Sequence, residues 1–209
     1  MYTPTGPSST GSRDMEVSMG KIVVTEFVSL DGVFEDPGGS ENYEHGGWSF
    51  RFNRGDDGDQ FKLDEAMGSD ALLLGRVTYQ GFADSWPSRT GDFADKFNNM
   101  PKFVVSTTLE APDWSNSHLI KGDLAREVPK LKEQFGGDIA VHGSGQLVNA
   151  LKEGDLVDEY RLMVFPVMLG KGKRLFADGG GLITLKLAES KQVGPDGVVI
   201  LTYQRADAR

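Results

Sequence analysis

Asp138-Ile139-Ala140-Val141-His142-Gly143-Ser144-Gly145-Gln146-Leu147-Val148 is the stretch on which the fold is decided. Its first four residues form a short apolar run, the pattern of a strand buried on both faces of a parallel sheet. A helical pattern follows from Gly145 to Lys152 and stops at Gly154. Two glycines around a serine lie directly between strand and helix. The first N–H groups of a helix have no intrahelical acceptor, so such a junction can hold an anion, a diphosphate included. Taken alone the signal is weak, since glycines at such a place often only turn the chain.

A second junction has the same architecture. Ala71-Leu72-Leu73-Leu74 runs into Gly75-Arg76-Val77-Thr78, and Tyr79 to Phe82 continues as a short helix. Gly75 permits a close approach to the backbone, Arg76 supplies a cation and Thr78 a hydroxyl. Alone, this too reads as an ordinary helix start. Two such junctions in one sheet point to the carboxyl ends of strands, where α/β folds bind ligands. Neither fits the Rossmann or P-loop spacing, so a different dinucleotide fold is implied.

Outward from the junctions, Lys21–Ser29 is a strand and Leu30-Asp31-Gly32 turns the chain. Residues 35–58 are dense in Gly, Asp, Asn and Pro, with Trp48, Phe50 and Phe52 among them; a loop of that length is usually functional. Asp59–Met67 reads as a helix stopped by Gly68, and Lys102–Ser106 as another buried strand. Asp123 caps a helix carrying Leu124, Val128, Leu131 and Phe135 on one face, with Pro129 predicting a kink or a late start. Glu159–Met168, Ile183–Lys191 and Val198–Arg205 are strand-like, the last two joined as a hairpin across Gly194-Pro195-Asp196-Gly197. The expected fold is α/β: a mixed, mainly parallel sheet with helices on both faces and a C-terminal antiparallel hairpin.

The chain has 209 residues, enough for one core, with 38% hydrophobic and 25% charged residues, as in ordinary globular domains. A net charge of -9 argues against nucleic acid or anionic membrane as partner. The absence of cysteine excludes disulfides and thiolate chemistry and suits a cytoplasmic location. No apolar run approaches the roughly 20 residues that span a bilayer. Residues 1–19 read as a flexible leader and 20–209 as a single domain.

In order, Leu30-Asp31-Gly32, the aromatic loop, Leu74-Gly75-Arg76-Val77-Thr78-Tyr79, Val104-Val105-Ser106, Val141-His142-Gly143-Ser144-Gly145 and Pro166-Val167-Met168-Leu169-Gly170-Lys171-Gly172 form a known pattern. The chain resembles the dihydrofolate reductase-like superfamily from Lys21 to Arg205. Within it, the reductase (C-terminal) domain of the bifunctional riboflavin-biosynthesis deaminase-reductase is most similar. The resemblance implies a three-layer fold and NADPH as cofactor. It places Gly75, Arg76 and Thr78 at a cofactor phosphate, and Ser106 with Thr107 at the adenosine ribose and its 2′-phosphate. It places Gly143, Ser144, Gly145, Gln146 and Leu147 under the diphosphate. Phe27 and Val28 lie on the strand whose backbone would hold the nicotinamide amide, and Asp31 and Gly32 open the loop that would close over the ring. It also implies a homodimer and a small heterocyclic substrate; with no cysteine among the 209 residues, the zinc-binding deaminase half is not expected here.

For the substrate side, Asp59 is the candidate catalytic carboxylate, placed by the resemblance where folate reducers grip a pyrimidine; its other reading is a helix N-cap. Trp48 resembles a tryptophan that covers substrate or nicotinamide, and reads equally as a loop anchor. His142 stands where the riboflavin reductases usually carry Glu, which makes it a substrate-side candidate and sets this chain apart. Lys171, Lys173 and Arg174 are a compact basic group, either a solvated loop or a contact for a substrate phosphate. His45 and His118 lack partners at metal-ligand spacing, so no metal site is expected. Besides reduction of a pyrimidine- or pterin-like heterocycle, two alternatives stand: a nucleotide-binding module without turnover, and a reductase of an unrelated small substrate.

Overall fold

A computed structural model describes residues 19–176 and 181–206; the expected leader therefore lies almost wholly outside the described residues. Its strands are β1 (Lys21–Ser29), β2 (Ser69–Gly75), β3 (Lys102–Val105), β4 (Ser117–Ile120), β5 (Asp138–Val141), β6 (Glu159–Phe165), β7 (Leu185–Val193) and β8 (Val198–Arg205). Its helices are α1 (Gly55–Gly68), α2 (Arg76–Ser85), α3 (Asp92–Asn99), α4 (Leu124–Lys132) and α5 (Gly145–Glu153). A 3-10 turn spans Trp48–Arg51.

The strands form one sheet in the order β4-β3-β2-β5-β1-β6-β8-β7. β4 to β6 run parallel; β8 lies antiparallel to β6, and β7 antiparallel to β8. The central strands are apolar on both sides because helices cover both faces. On one face Ile22, Val24 and Val28 of β1 pack with Val128 and Leu131 of α4 and Leu147, Val148 and Leu151 of α5. On the other, Leu72 and Leu74 of β2 pack with Ala66 of α1, Tyr79 of α2 and Phe97 of α3. The hairpin strands enclose a third cluster around Trp48, Phe165 and Val198.

Three expectations shift. α1 starts at Gly55, four residues before the expected helix, with Asp56 and Asp57 in its first turn, where carboxylates suit the helix dipole. α4 starts at Leu124, capped by Asp123, whose carboxylate accepts from the Ala125 N–H at 3.1 Å. It holds Pro129 in its second turn, so the late start does not occur. α3 and β4 were not anticipated. α3 presents Phe93 and Phe97 to Trp86, and β4 is a four-residue strand at the sheet edge.

Candidate functional site

β1 and β5 pair only over Lys21–Val24 and Asp138–Val141, while β1 continues beside β6 to Ser29. Beyond Val24 and Val141 the two strands separate. The chain leaving β1 goes to β2 on one side of the sheet, and the chain leaving β5 goes to β6 on the other. This is a topological switch point, the crevice where open α/β sheets take ligands. Its walls are Thr25–Ser29 and His142–Gly145.

The turn after β5 meets the end of β2 closely. The Gly75 N–H donates to the Gly143 carbonyl at 3.1 Å, and the Gly143–Ser144 peptide is cis. A Cβ on Gly75 would lie 2.9 Å from the Ser144 backbone nitrogen, and one on Gly143 (φ 98) would lie 2.8 Å from Thr78 Oγ1. Glycine is required at Gly75 because a backbone turn packs against it, and at Gly143 because of its positive φ and the Thr78 hydroxyl beside it. α5 begins at Gly145 with Ser144 as N-cap and no side-chain cap bond, so its first N–H groups lack a side-chain acceptor. Gln146 is exposed, whereas the Leu147 side chain is buried in the core and contributes only backbone here. The Phe34 ring lies against Gly145, 2.6 Å from where a Cβ would stand.

Gly75 and Val105 are register partners, so Arg76 and Ser106 leave adjacent strand ends. Among the described residues, Arg76 donates to Gln80 Oε1 at 2.9 Å and has no carboxylate partner. The Ser106 hydroxyl accepts from the N–H groups of Thr108 (3.1 Å) and Leu109 (2.9 Å), which shapes the turn holding exposed Thr107. The sequence-predicted cofactor residues are thus brought to one edge of the sheet. On β1, Val28 is core and Phe27 is partly buried, its ring 5.2 Å from the Arg54 guanidinium and 5.5 Å from Lys62 Nζ.

The candidate substrate residues are placed differently. Asp59 is two-thirds exposed on α1 and paired with Arg54 at 2.5 Å, so it is neither a buried carboxylate nor the helix N-cap, which is Arg54. Trp48 is fully buried, donates through Nε1 to the Glu35 carbonyl at 2.8 Å and packs on Phe165, and so anchors the loop. His142 packs against Phe82 and Phe97, with ring centroids 6.0 and 5.4 Å away. Burial, with Lys62 adding to it, pushes its pKa down to about 3, so the half-buried imidazole is neutral. The basic group is spent on the acidic loop: Lys171 pairs with Glu44, Lys173 with Glu35 at 2.5 Å, and Arg174 donates to the Asp31 carbonyl.

Asp31 acts as a clasp. Its carboxylate accepts from the Ser29 hydroxyl (2.7 Å) and the N–H groups of Leu169 (3.1 Å) and Gly170 (2.8 Å). Desolvation would raise its pKa, but these bonds outweigh it and hold it at about 2, so the clasp is complete above about 3.8 and weakens as pH falls toward 2. Replacing Asp31 with Ala is expected to speed proteolytic cleavage within residues 30–47 and 166–174 at pH 7. Unchanged cleavage rates would contradict the clasp.

Sequence reasoning missed two buried carboxyls at the crevice, Glu26 in its β1 wall and Glu65, which reaches Thr25 of that wall from α1. Glu65 of α1 accepts from the Thr25 hydroxyl at 2.8 Å and pairs with Lys62, whose Nζ also donates to Thr25 at 2.7 Å. Burial would raise Glu65, yet Lys62 beside it holds it below the usual value, so it is ionised. Glu26 of β1 has no such partner: its Oε1 is buried without a hydrogen bond. Burial pushes it up to about 8, against the pull of Lys62.

The fold is dihydrofolate reductase-like. Dihydrofolate reductase from Enterococcus faecalis, solved with NADP(H) and RAB-propyl, aligns over 91% of this chain and 99% of its own, with a TM-score of 0.59 at 13% identity. A protein of Shewanella sp. PV-4 provisionally assigned to riboflavin biosynthesis aligns over 89% of this chain and 99% of its own, with a TM-score of 0.72 at 24% identity. The deaminase/5-amino-6-(5-phosphoribosylamino)uracil reductase of Thermotoga maritima reaches 0.60 at 13% identity over 90% of this chain, which spans only 57% of that longer one. Residues 20–199 match the RibD C-terminal domain family, and the chain belongs to it. Two Bacillus subtilis relatives, the uncharacterized proteins YyaP and YwjB, are each 29% identical over 188 residues, covering 94% and 98% of their lengths.

Proposed function

We propose that this protein is an NADPH-dependent reductase of a pyrimidine- or pterin-like heterocycle, similar in reaction to 5-amino-6-(5-phosphoribosylamino)uracil reductase. The observation carrying the reading is the crevice between β1 and β5, bordered by two glycines where a side chain would fill the space. That cradle fits a dinucleotide. The N–H groups at the start of α5 suit a diphosphate, and Arg76 beside Ser106 suits an additional phosphate on the ribose. β1 has no strand partner on its β5 side beyond Val24, so its backbone is open to an amide. The cofactor, when bound, supplies the hydride. The protein's part is to orient donor and acceptor and to keep their contact dry: Phe27 walls one side, and the loop pinned by Trp48, Asp31 and Glu35 closes another.

NADPH added to the purified chain is expected to raise its melting temperature and to change nicotinamide fluorescence saturably. No response at millimolar cofactor would remove the reading. Replacing Arg76 with Ala is expected to weaken NADPH about tenfold while leaving NADH within about twofold, because a charge-assisted bond to a phosphate contributes about 1.5–3 kcal/mol. Equal weakening of both would move Arg76 away from the 2′-phosphate.

A further inference from the structure

Side chains alternate along β1, so Glu26 shares its face with Val24 and Val28, the face covered by α5, while Thr25 and the Lys62–Glu65 pair occupy the opposite one. The Glu26 carboxyl therefore looks toward the turn at the start of α5. Its Oε1 stands 3.6 Å from the position a Gly143 Cβ would take, in the gap the missing side chain leaves. It is fully enclosed and, among the described residues, bonded to nothing. Buried polar atoms are nearly always paired, so an orphan of this kind beside a ligand crevice is available for a bond to the ligand. We infer that Glu26 is a recognition group of the crevice, hydrogen-bonding an uncharged amide or hydroxyl of the bound dinucleotide.

The inference rests on the dinucleotide reading above. A neutral carboxylic acid offers one donor and one acceptor together, the complement of a primary amide, which also offers both. The groups around it set its state. Burial dominates and raises it; Lys62 of α1 opposes this, while Glu65 of α1 and Glu41 of the loop after β1 add to it. His142, at the end of β5, is uncharged. The acid is thus protonated at neutrality and loses its proton near pH 8. Ionised, it can no longer donate, and it places a negative charge beside the turn proposed to hold a diphosphate.

The test is titration of NADPH into the full chain and into Glu26→Gln and Glu26→Ala variants, at pH 7 and pH 9.5, with a thermal melt confirming that each variant folds. Wild type is expected to lose at least tenfold in affinity between the two pH values, while Glu26→Gln, which keeps a donor and an acceptor at every pH, loses no more than about twofold. Glu26→Ala is expected to bind weakly at both. Equal pH slopes for wild type and Glu26→Gln, or full affinity in Glu26→Ala, would overturn the role of Glu26 while leaving the dinucleotide reading intact. Absence of NADPH binding by wild type at pH 7 would overturn the dinucleotide reading, and this assignment with it.

Discussion

Glu26→Gln is expected to melt at the same temperature as wild type at pH 4 and on the order of 10 °C above it at pH 9. The sign follows from proton linkage. Folded Glu26 holds its proton up to about pH 8, whereas the unfolded group releases it near 4.5. Across that window the folded state binds more protons, so wild-type stability falls as pH rises and levels off above 8. Each tenfold in proton affinity is about 1.4 kcal/mol, so the window spans on the order of 4–5 kcal/mol, and a chain of this size gains about 2–4 °C per kcal/mol. Glutamine carries no charge at any pH and escapes the penalty. Differential scanning calorimetry from pH 4 to 9.5 reads the divergence directly. Parallel curves for the two proteins would mean that Glu26 is not the buried, unpaired acid described above.

Gly75→Ala is expected to cost about 1–3 kcal/mol and to reduce NADPH affinity more than tenfold. The added methyl would stand 2.9 Å from the Ser144 backbone nitrogen, so relief requires moving a backbone turn and not a flexible side chain. The Gly75 N–H to Gly143 carbonyl bond at 3.1 Å would be displaced with it. The comparison is Gly81→Ala, only six residues along. No atom lies within 4 Å of a Cβ there, and Gly81 sits within α2, so alanine is expected to stabilise by about 0.5–1 kcal/mol. Chemical denaturation of both variants checks the pair. Similar effects at the two positions would show that the turn at Ser144 tolerates movement.

The fold was legible wherever a segment carried its own pattern. The apolar runs at Leu72–Leu74 and Ile139–Val141 declared buried strands, and the glycines after them declared the junctions. Their mutual approach was not readable: that Gly75 packs on Ser144, or that Arg76 stands beside Ser106, is set by strand register. β4 was missed because four residues at a sheet edge carry little periodicity. Asp59 was chosen for its position near a helix start, but the helix begins four residues earlier and turns that carboxylate outward.

Glu26 is the more instructive case. Ile22, Val24 and Val28 alternate as a buried face, and Glu26 interrupts that alternation at the one place where a core position should be apolar. A carboxylate there breaks the pattern at a cost, and functional sites are where such breaks concentrate. Its state, however, depends on what lies opposite. Glu65 is kept charged by Lys62 and Thr25, and Glu26, on the other face of the same strand, has no comparable partner. Two buried carboxyls pushed to opposite protonation states across one strand could not be inferred from spacing alone.

The most direct test of the central claim is a crystal structure of the chain grown with NADPH. The expected density has the diphosphate on the Gly143–Gly145 turn, the ribose phosphate between Arg76 and Ser106, and the nicotinamide in the crevice between β1 and β5. A cofactor bound elsewhere on the sheet, with this crevice closed, would contradict it.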